Sequence, residues 1–258
     1  MIVEFLGNSG AGKSTLVPAS IQFWRDKGLT AMSVTEAIHH HMRRTVLGRV
    51  VCWLAPRAWQ GPILWRVFSH TTAKLHSAAF ALRHVQLTRH VLASQLRRKI
   101  PRQHRRLILR LFFNMAGQRH FFESRSRPGE IIVFDEGFVH RAVHLFVSES
   151  ERPDPKRVLA YLELVPRSDL VILVQAPLKV CLERIYERGL QVRLRGLKAE
   201  EVARFVEHAE EVINIASQYI NKAGWQVIEV ENNSDAATCA AGLCRNLEGY
   251  RPFIKQLI

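Results

Sequence analysis

Nine residues near the start of the chain, Gly7-Asn8-Ser9-Gly10-Ala11-Gly12-Lys13-Ser14-Thr15, decide its fold. They match the P-loop pattern, in which a glycine is followed by four residues and then by Gly-Lys-Ser or Gly-Lys-Thr. The apolar run over residues 1–6 predicts a buried strand before the loop, and residues 16–27 predict a helix after it. This order predicts a phosphate-binding loop at the first strand–helix junction.

The residue types of the loop suit a nucleoside triphosphate. Its glycines let the backbone approach an anion closely, and successive N–H groups at the start of a helix attract negative charge. Lys13 is expected to bridge the β- and γ-phosphates, and the Ser14 hydroxyl to ligate magnesium. We therefore predict ATP and Mg²⁺ as cofactors, bound by Gly7, Asn8, Ser9, Gly10, Ala11, Gly12, Lys13, Ser14 and Thr15.

Length and composition limit the class of protein. With 258 residues the chain is long enough for one α/β domain, 1–258, with an inserted subdomain. It holds no uncharged apolar run of about eighteen residues, so we expect no transmembrane helix. The four cysteines show no metal-ligand spacing, and the N-terminus leads directly into the first strand. These features predict a cytoplasmic protein without a signal peptide.

The positive charge is concentrated in one segment. The net charge is +14, yet residues 37–122 contain sixteen Lys and Arg and no Asp or Glu, so the remainder carries 14 − 16 = −2. Apolar residues recur at helical spacing over 74–96 and 107–122, with Pro101 between them. Residues 37–126 are therefore predicted to form a basic helical insert between strands 2 and 3, acting as an acceptor or lid subdomain or facing a membrane.

The sequence allows more than one partner for this insert. Its densest basic cluster, residues 97–106, is interpreted as a solvated loop, as a site for anionic lipid at the inner membrane surface, or as a site for a phosphorylated or protein partner. No segment resembles a nucleic-acid recognition module, so nucleic acid is the least favoured partner. The sequence does not predict an oligomeric state.

Acidic residues close two further predicted strands. Residues 29–35 are predicted to form the second strand, and Glu36 follows it directly. Residues 130–134 are predicted to form the third strand, and Asp135 and Glu136 follow it. In open parallel sheets, ligands bind beyond the carboxyl ends of the strands. Glu36 is predicted to contact an acceptor hydroxyl, with helix capping as the alternative. Asp135 is predicted to hold Mg²⁺, and Glu136 to orient a water or to face an acceptor.

The second half of the chain adds basic residues to the predicted site. Residues 168–174 and 225–230 predict the fourth and fifth strands. Arg184 and Arg188 lie one helical turn apart after the fourth strand, and Arg193 follows in a short basic loop. Guanidinium groups stabilise a transferring phosphoryl group with forked hydrogen bonds, which is the predicted role of these arginines. Asn232, after the fifth strand, is predicted to adjoin the adenine ring.

Taken together, these segments resemble the nucleoside monophosphate kinase group of P-loop proteins, and thymidylate kinases in particular. The resemblance is carried by residues 7–15, by Val34-Thr35-Glu36, by Asp135, and by the stretch from Asp169 to Gly189. It implies a P-loop fold with a five-stranded parallel sheet of order 2-3-1-4-5, flanked by helices. Asp135-Glu136-Gly137 stands where that family has Asp-Arg followed by an aromatic residue.

Three functions follow from these patterns. The first is a thymidylate kinase-like phosphotransferase that passes the γ-phosphoryl group of ATP to a nucleotide, nucleoside, sugar-type, antibiotic or lipid-linked acceptor. The alternative is a P-loop ATPase or regulatory switch that binds a protein partner through the insert. The third is attachment of the insert to an anionic membrane, which is compatible with either of the others.

Overall fold

A five-stranded parallel sheet forms the centre of the molecule in the computed structural model, which describes residues 1–98, 100–190, 194–233 and 235–249. The strand order is β2-β3-β1-β4-β5, and every neighbouring pair is parallel, as predicted. The strands are β1 (Ile2–Gly7), β2 (Thr30–Ser33), β3 (Glu130–Phe134), β4 (Leu170–Gln175) and β5 (Val227–Glu231).

Helices make up most of the remaining described chain. The structure has α1 (Lys13–Asp26), α2 (Val34–Arg43), α3 (Val46–Leu54), α4 (Arg57–Val67), α5 (Ala73–Arg83), α6 (Val85–Arg97), α7 (Arg102–Arg125), α8 (Phe138–Phe146), α9 (Pro155–Leu162), α10 (Leu178–Arg188), α11 (Ala199–Lys222) and α12 (Ala236–Glu248). A π-helical turn, Phe68–Thr72, joins α4 to α5. The single helix predicted over 74–96 is divided at His84, whose φ of −117° and ψ of 54° are not helical.

The apolar runs of the central strands explain their position. All residues of β1 and β3 are buried, as are the first five of β4, which is typical of a parallel sheet covered by helices. Helix α1 packs against α12, and α11 packs against α8 and α9. The loop between β1 and α1 therefore lies on a rigid base at the carboxyl end of the sheet.

Strand β2 ends earlier than predicted. Ser33 pairs with Val133, and Val133 pairs with Val3, so β2 ends at the level of Val3 rather than near Gly7, where β1 ends. The chain enters α2 at Val34 because Ser33 and the residue three positions later form a capping box. The prediction of a strand through residue 35 was wrong, since the local capping signal ends it first.

The segment between β2 and β3 is helical, from α2 to α7. Its two best-packed helices, α5 and α7, approach closely where the Ser77 hydroxyl donates to the carbonyls of Ala73 and Phe113, both at 2.6 Å. A side chain at Gly117 of α7 would meet the Ala73 carbonyl. Within the described part of the chain, no helix combines the length and the apolar character needed to cross a bilayer.

Candidate active site

A cavity of about 310 Å³ opens where the loop after β1 meets the ends of β3 and α10. It is lined by Asn8, Ser9, Gly10, Gly12, Lys13, Ser14, Thr15, Asp135, Glu136, Arg184 and Arg188. Two of the predicted loop residues do not line it. The Gly7 carbonyl instead accepts a hydrogen bond from Lys13, and Ala11 is fully buried beneath the loop.

Lys13 is held inside this cavity by the loop itself. Its Nζ donates to the carbonyls of Gly7 at 2.6 Å and Asn8 at 3.0 Å. Burial lowers the pKa of Lys13 to about 8, although the nearby carboxylates of Glu136 and Asp135 act in the opposite direction. A buried ammonium bound to two carbonyl groups is suited to exchange one of them for a phosphate oxygen.

Glycine backbone geometry and two amide side chains fix the loop. Gly12, just before α1, has φ of 96°, and a side chain there would collide with Nδ2 of Asn232. That Nδ2 donates to the Ala11 carbonyl at 2.7 Å. On the other side, Asn8 Nδ2 donates to the Val206 carbonyl of α11 at 2.9 Å. The loop is therefore preorganised before any ligand binds.

Asn232 was predicted to adjoin an adenine ring, and the structure shows its amide bonded to the loop. It also lines a smaller cavity of about 150 Å³, together with Gly12, Thr15, Leu16, Arg184, Ala236 and Cys239. This second cavity shares Gly12, Thr15 and Arg184 with the larger one. A base-binding role for Asn232 stays a prediction, and its structural role is to support the loop.

The predicted metal ligands and arginines face the same cavity. Ser14 and Asp135 both line it, and their oxygen atoms are the type of donor that Mg²⁺ prefers. Arg184 donates from Nη1 to the Gly10 carbonyl at 3.3 Å, and Arg188 lies one turn further along α10. Arg193 falls outside the described residues. The neighbouring Arg195 is exposed and donates from Nε to the Leu190 carbonyl.

Glu136 is the most strongly engaged acid at the cavity. Its Oε1 lies 3.4 Å from Nε2 of His140, and its Oε2 lies 3.2 Å from Nε2 of His144 and 3.5 Å from Nη1 of Arg141. Burial alone would raise the pKa of Glu136, but the two histidines hold it well below its usual range. Burial, with Lys13 nearby, lowers the pKa of His140 to about 3, so this imidazole is neutral.

Sequence reasoning missed a buried acid that positions this cluster. Glu4 of β1 is 2% exposed and accepts hydrogen bonds from the backbone N–H groups of Phe138 and Val139, both at 3.0 Å, and from the Ser168 hydroxyl at 2.9 Å. It therefore caps the start of α8, the helix that carries His140 and His144. The signal was present as an acid inside the apolar run of residues 1–6.

Glu36 does not lie where it was predicted. Its Oε2 accepts hydrogen bonds from the Ser33 N–H at 2.8 Å and the Ser33 hydroxyl at 3.0 Å, and its Oε1 lies 3.0 Å from Nη2 of Arg25. It is absent from the lining of the large cavity, because β2 ends near the level of Val3. The expected position at the ligand edge was wrong, and the capping alternative describes the observed contacts.

Comparison with known proteins gives distant structural similarity alone. No protein-family model and no curated protein sequence matches the chain. Similar solved structures are those of deoxyadenosine kinase from M. mycoides with bound dATP (TM-score 0.45, 15% identity), with the products dCMP and a flexible dCDP (0.42, 14%), and with bound dCTP (0.39, 14%). Each alignment covers 96% of this chain and 100% of that chain. Similarity of this degree identifies neither an acceptor nor an activity.

Proposed function

We propose that the chain is an ATP-dependent phosphotransferase of the P-loop kinase type. The observation that carries the proposal is the composition of one cavity. Its lining combines three kinds of group: the P-loop with Lys13, the acids Asp135 and Glu136, and the arginines Arg184 and Arg188. Phosphoryl transfer needs positioning and charge stabilisation more than covalent participation by the protein, and this set of groups supplies both.

The P-loop provides the proposed binding site for the phosphate donor, ATP. The N–H groups at the start of α1 and the Lys13 ammonium would bind the β- and γ-phosphates. Ser14 and Asp135 would hold Mg²⁺, which neutralises charge on the phosphates when it is bound. The smaller cavity beside Thr15 and Arg184 is our candidate for the nucleobase.

In the transfer step, an acceptor oxygen bonds to the γ-phosphorus while the bond to the β–γ bridging oxygen breaks and ADP leaves. Lys13, Arg184 and Arg188 stabilise the negative charge on the γ-phosphoryl oxygens. Glu136 hydrogen-bonds the acceptor hydroxyl and orients it. Because its pKa is held low, Glu136 is a weak base, and the hydroxyl proton passes to solvent as the new bond forms.

The acceptor is proposed to be a neutral hydroxyl of a nucleoside or sugar-type molecule. Glu136 presents a negative charge to the cavity, and the guanidinium of Arg141 already lies beside it. A phosphate on the acceptor would be repelled by this carboxylate, whereas a hydroxyl would donate to it. A nucleotide acceptor, as in thymidylate kinases, is the competing possibility.

A transfer assay tests this proposal. The protein is incubated with γ-labelled ATP, Mg²⁺ and a panel of nucleosides, nucleotides and sugars, and labelled products are separated. We expect label on a nucleoside or sugar, its loss in Lys13→Ala, and its retention in Lys222→Ala, a lysine on the exposed end of α11. Transfer that survives in Lys13→Ala would refute the mechanism, and label on monophosphates alone would overturn the proposed acceptor.

The ATPase alternative makes a different prediction in the same assay. A regulatory switch would release labelled phosphate from ATP without any acceptor and would lose that release in Glu136→Gln. The contacts of Glu136 with two histidines and an arginine do not separate the two functions, because a water and an acceptor hydroxyl would donate to the same carboxylate. Acceptor-independent phosphate release at the rate of transfer would therefore favour the switch over the kinase.

A second candidate function, attachment to an anionic membrane, is supported by the surface of α3. One face of this helix exposes apolar side chains at helical spacing, and Trp59 of α4, which packs against α3, is 65% exposed. Gly48, on the opposite face, is buried, and Cys52 packs against the core. We call this surface the α3 face, formed by Val46, Leu47, Val50, Trp53, Leu54 and Trp59.

The charges around the α3 face favour lipid over protein as its partner. Arg43, Arg49 and Arg57 are exposed at its border, and no acid occurs between residues 37 and 122. Exposed tryptophan and leucine beside arginine are typical of helices that lie in the surface of an anionic bilayer. In contrast, Arg98 of the 97–106 cluster is engaged internally, because it donates to the carbonyls of Leu145 and Val147.

Sedimentation with vesicles tests the attachment. We expect binding to vesicles containing anionic lipid, weakened by salt, with neutral vesicles as the reference. The double variant Trp53→Ser, Trp59→Ser should bind at least about tenfold more weakly, since a fully buried large side chain is worth about 1.5–3 kcal/mol. Leu159→Ser, on α9, should bind as the wild type does. The absence of binding at low salt, or equal binding by the double variant, would contradict the proposal.

A further inference from the structure

Three potential metal ligands lie together beside the P-loop cavity. Glu136 precedes α8 by two residues, and His140 and His144 follow on the helix at intervals of four. Residues spaced by four lie on the same side of a helix. One ligand atom from each of the three lies within 4.8 Å of the others, and no second group of this kind occurs among the described residues.

We propose that Glu136, His140 and His144 bind one divalent transition-metal ion, of which Zn²⁺ fits best. Two imidazoles and one carboxylate are a typical ligand set for zinc, and Mg²⁺ prefers oxygen ligands alone. Three protein ligands leave a fourth position for water or a substrate oxygen. The proposal concerns a second metal site, separate from the Mg²⁺ ligands Ser14 and Asp135; it shares Glu136 with the proposed acceptor site, but its test needs no kinase activity.

The distances within the cluster are compatible with a shared ion. Ligand atoms at about 2.0–2.2 Å from a tetrahedral zinc ion are separated by roughly 3.3–3.6 Å. The Glu136 oxygens lie 3.4 Å from His140 Nε2 and 3.2 Å from His144 Nε2. The two contacts are made by different oxygens of the carboxylate, and the one to His144 is a long hydrogen bond. A single ion could therefore replace both contacts with only small movements of the three side chains, since one ligand atom of each lies within 4.8 Å of the others.

Burial preorganises His140 as a ligand. Its side chain is 4% exposed, and its Nδ1 has no hydrogen-bond partner among the described residues. When an ion binds, the proton would lie on Nδ1 and Nε2, which faces Glu136, would offer its lone pair. His144, at 21% side-chain exposure, leaves a path to solvent through which an ion can enter.

Neighbouring groups orient the carboxylate. Arg141 Nη1 lies 3.5 Å from Glu136 Oε2, and the Glu4 carboxylate fixes the start of α8 through the N–H groups of Phe138 and Val139. Such outer contacts hold metal ligands in place and raise affinity. The positive charge of Arg141 opposes a cation, and the negative charge of Asp135 acts in the opposite direction.

Titration of the metal-free full-length protein with ZnCl₂ tests the site directly, without nucleotide or Mg²⁺. Calorimetry is expected to give one Zn²⁺ per chain, and Co²⁺ is expected to give the visible absorption of a four- or five-coordinate site. His144→Ala should lower Zn²⁺ affinity by at least about tenfold, the lower end of what is lost when a contact supporting a metal site is removed. His70→Ala, an exposed histidine of the insert, should bind as the wild type does.

Thermal unfolding separates a lost site from a misfolded variant. Zn²⁺ should raise the Tm of the wild type and of His70→Ala, because a ligand that binds the folded state stabilises it, and it should leave His144→Ala unchanged. His140→Gln is the second variant, since it keeps a polar side chain at the buried position. If the wild type binds no stoichiometric Zn²⁺, or if folded His144→Ala and His140→Gln bind it as tightly as the wild type, the proposal is wrong.

Discussion

The substitution Glu4→Gln tests how the sheet positions the catalytic acids. Glu4 lies in β1, and its carboxylate receives two N–H groups from the start of α8 and the hydroxyl of Ser168. Glutamine has nearly the same shape, so the substitution leaves no cavity. It replaces one acceptor oxygen by an NH₂ group, which faces hydrogen-bond donors where the carboxylate accepted them.

The magnitude follows from these contacts. At least one donor at the start of α8 loses its partner, and a buried unsatisfied group costs about 1–3 kcal/mol. We expect a destabilisation of about 2 kcal/mol near pH 5. For a domain of this size that corresponds to a fall in Tm of about 4–8 °C.

The effect should depend on pH in a defined direction. Burial raises the pKa of Glu4 in the folded protein above its ordinary value of 4.5, although its hydrogen bonds act in the opposite direction. At a pH between the ordinary pKa and the raised pKa, Glu4 keeps its proton in the folded state but has lost it in the unfolded state. The contribution of Glu4 to wild-type stability therefore falls as pH rises. Glutamine does not titrate. The stability difference should therefore be largest near pH 5 and shrink as pH rises.

Thermal unfolding of both proteins from pH 5 to pH 8, followed by circular dichroism, measures this difference. Glu229→Gln is the matched control, because Glu229 lies on the edge strand β5 with an exposed side chain. It should change stability by less than about 0.5 kcal/mol. The reasoning is refuted if Glu4→Gln is as stable as the wild type at pH 5, or if its deficit grows with pH.

Three further substitutions test other parts of the structure. Gly12→Ala should weaken binding of Mg–ATP about tenfold or more by calorimetry, because φ of 96° costs a side chain about 1–2 kcal/mol and Asn232 blocks the space; unchanged affinity would contradict the loop geometry. Arg98→Ala should destabilise the protein by about 1–3 kcal/mol in urea unfolding, since the Leu145 and Val147 carbonyls each lose a charged donor and Leu145 keeps only the amide of Gln95, whereas exposed Arg97→Ala should not. Glu36→Gln should lower stability by about 0.5–1 kcal/mol through its cap and leave the transfer rate within about threefold; a loss of transfer near 100-fold would return Glu36 to the catalytic set.

The sequence predicted the parts of the fold that depend on local pattern. The strand order followed from the resemblance carried by the P-loop and the apolar runs, and β3 was predicted within its observed bounds, Glu130–Phe134. The sequence was less informative where two local signals compete. At Ser33 the capping box ends a strand that the apolar pattern would continue.

Long-range contacts explain what the sequence did not predict. Glu4 meets Phe138 and Val139 only because the sheet brings β1 beside β3, and nothing near Glu4 in sequence indicates that partner. The relation of His140 and His144 to Glu136 depends on how α8 starts, which Glu4 fixes from another part of the chain. The contact of Asn232 with Ala11 likewise joins opposite ends of the chain.

Binding of a non-hydrolysable ATP analogue, measured by calorimetry with and without Mg²⁺, tests the central claim most directly. The wild type is predicted to bind one analogue per chain with Mg²⁺ and more weakly without it. Lys13→Ala is predicted to bind about 10–100-fold more weakly, since a charge-assisted hydrogen bond is worth about 1.5–3 kcal/mol. Absence of binding by the wild type, or equal binding by Lys13→Ala, would contradict the claim that this loop holds a triphosphate.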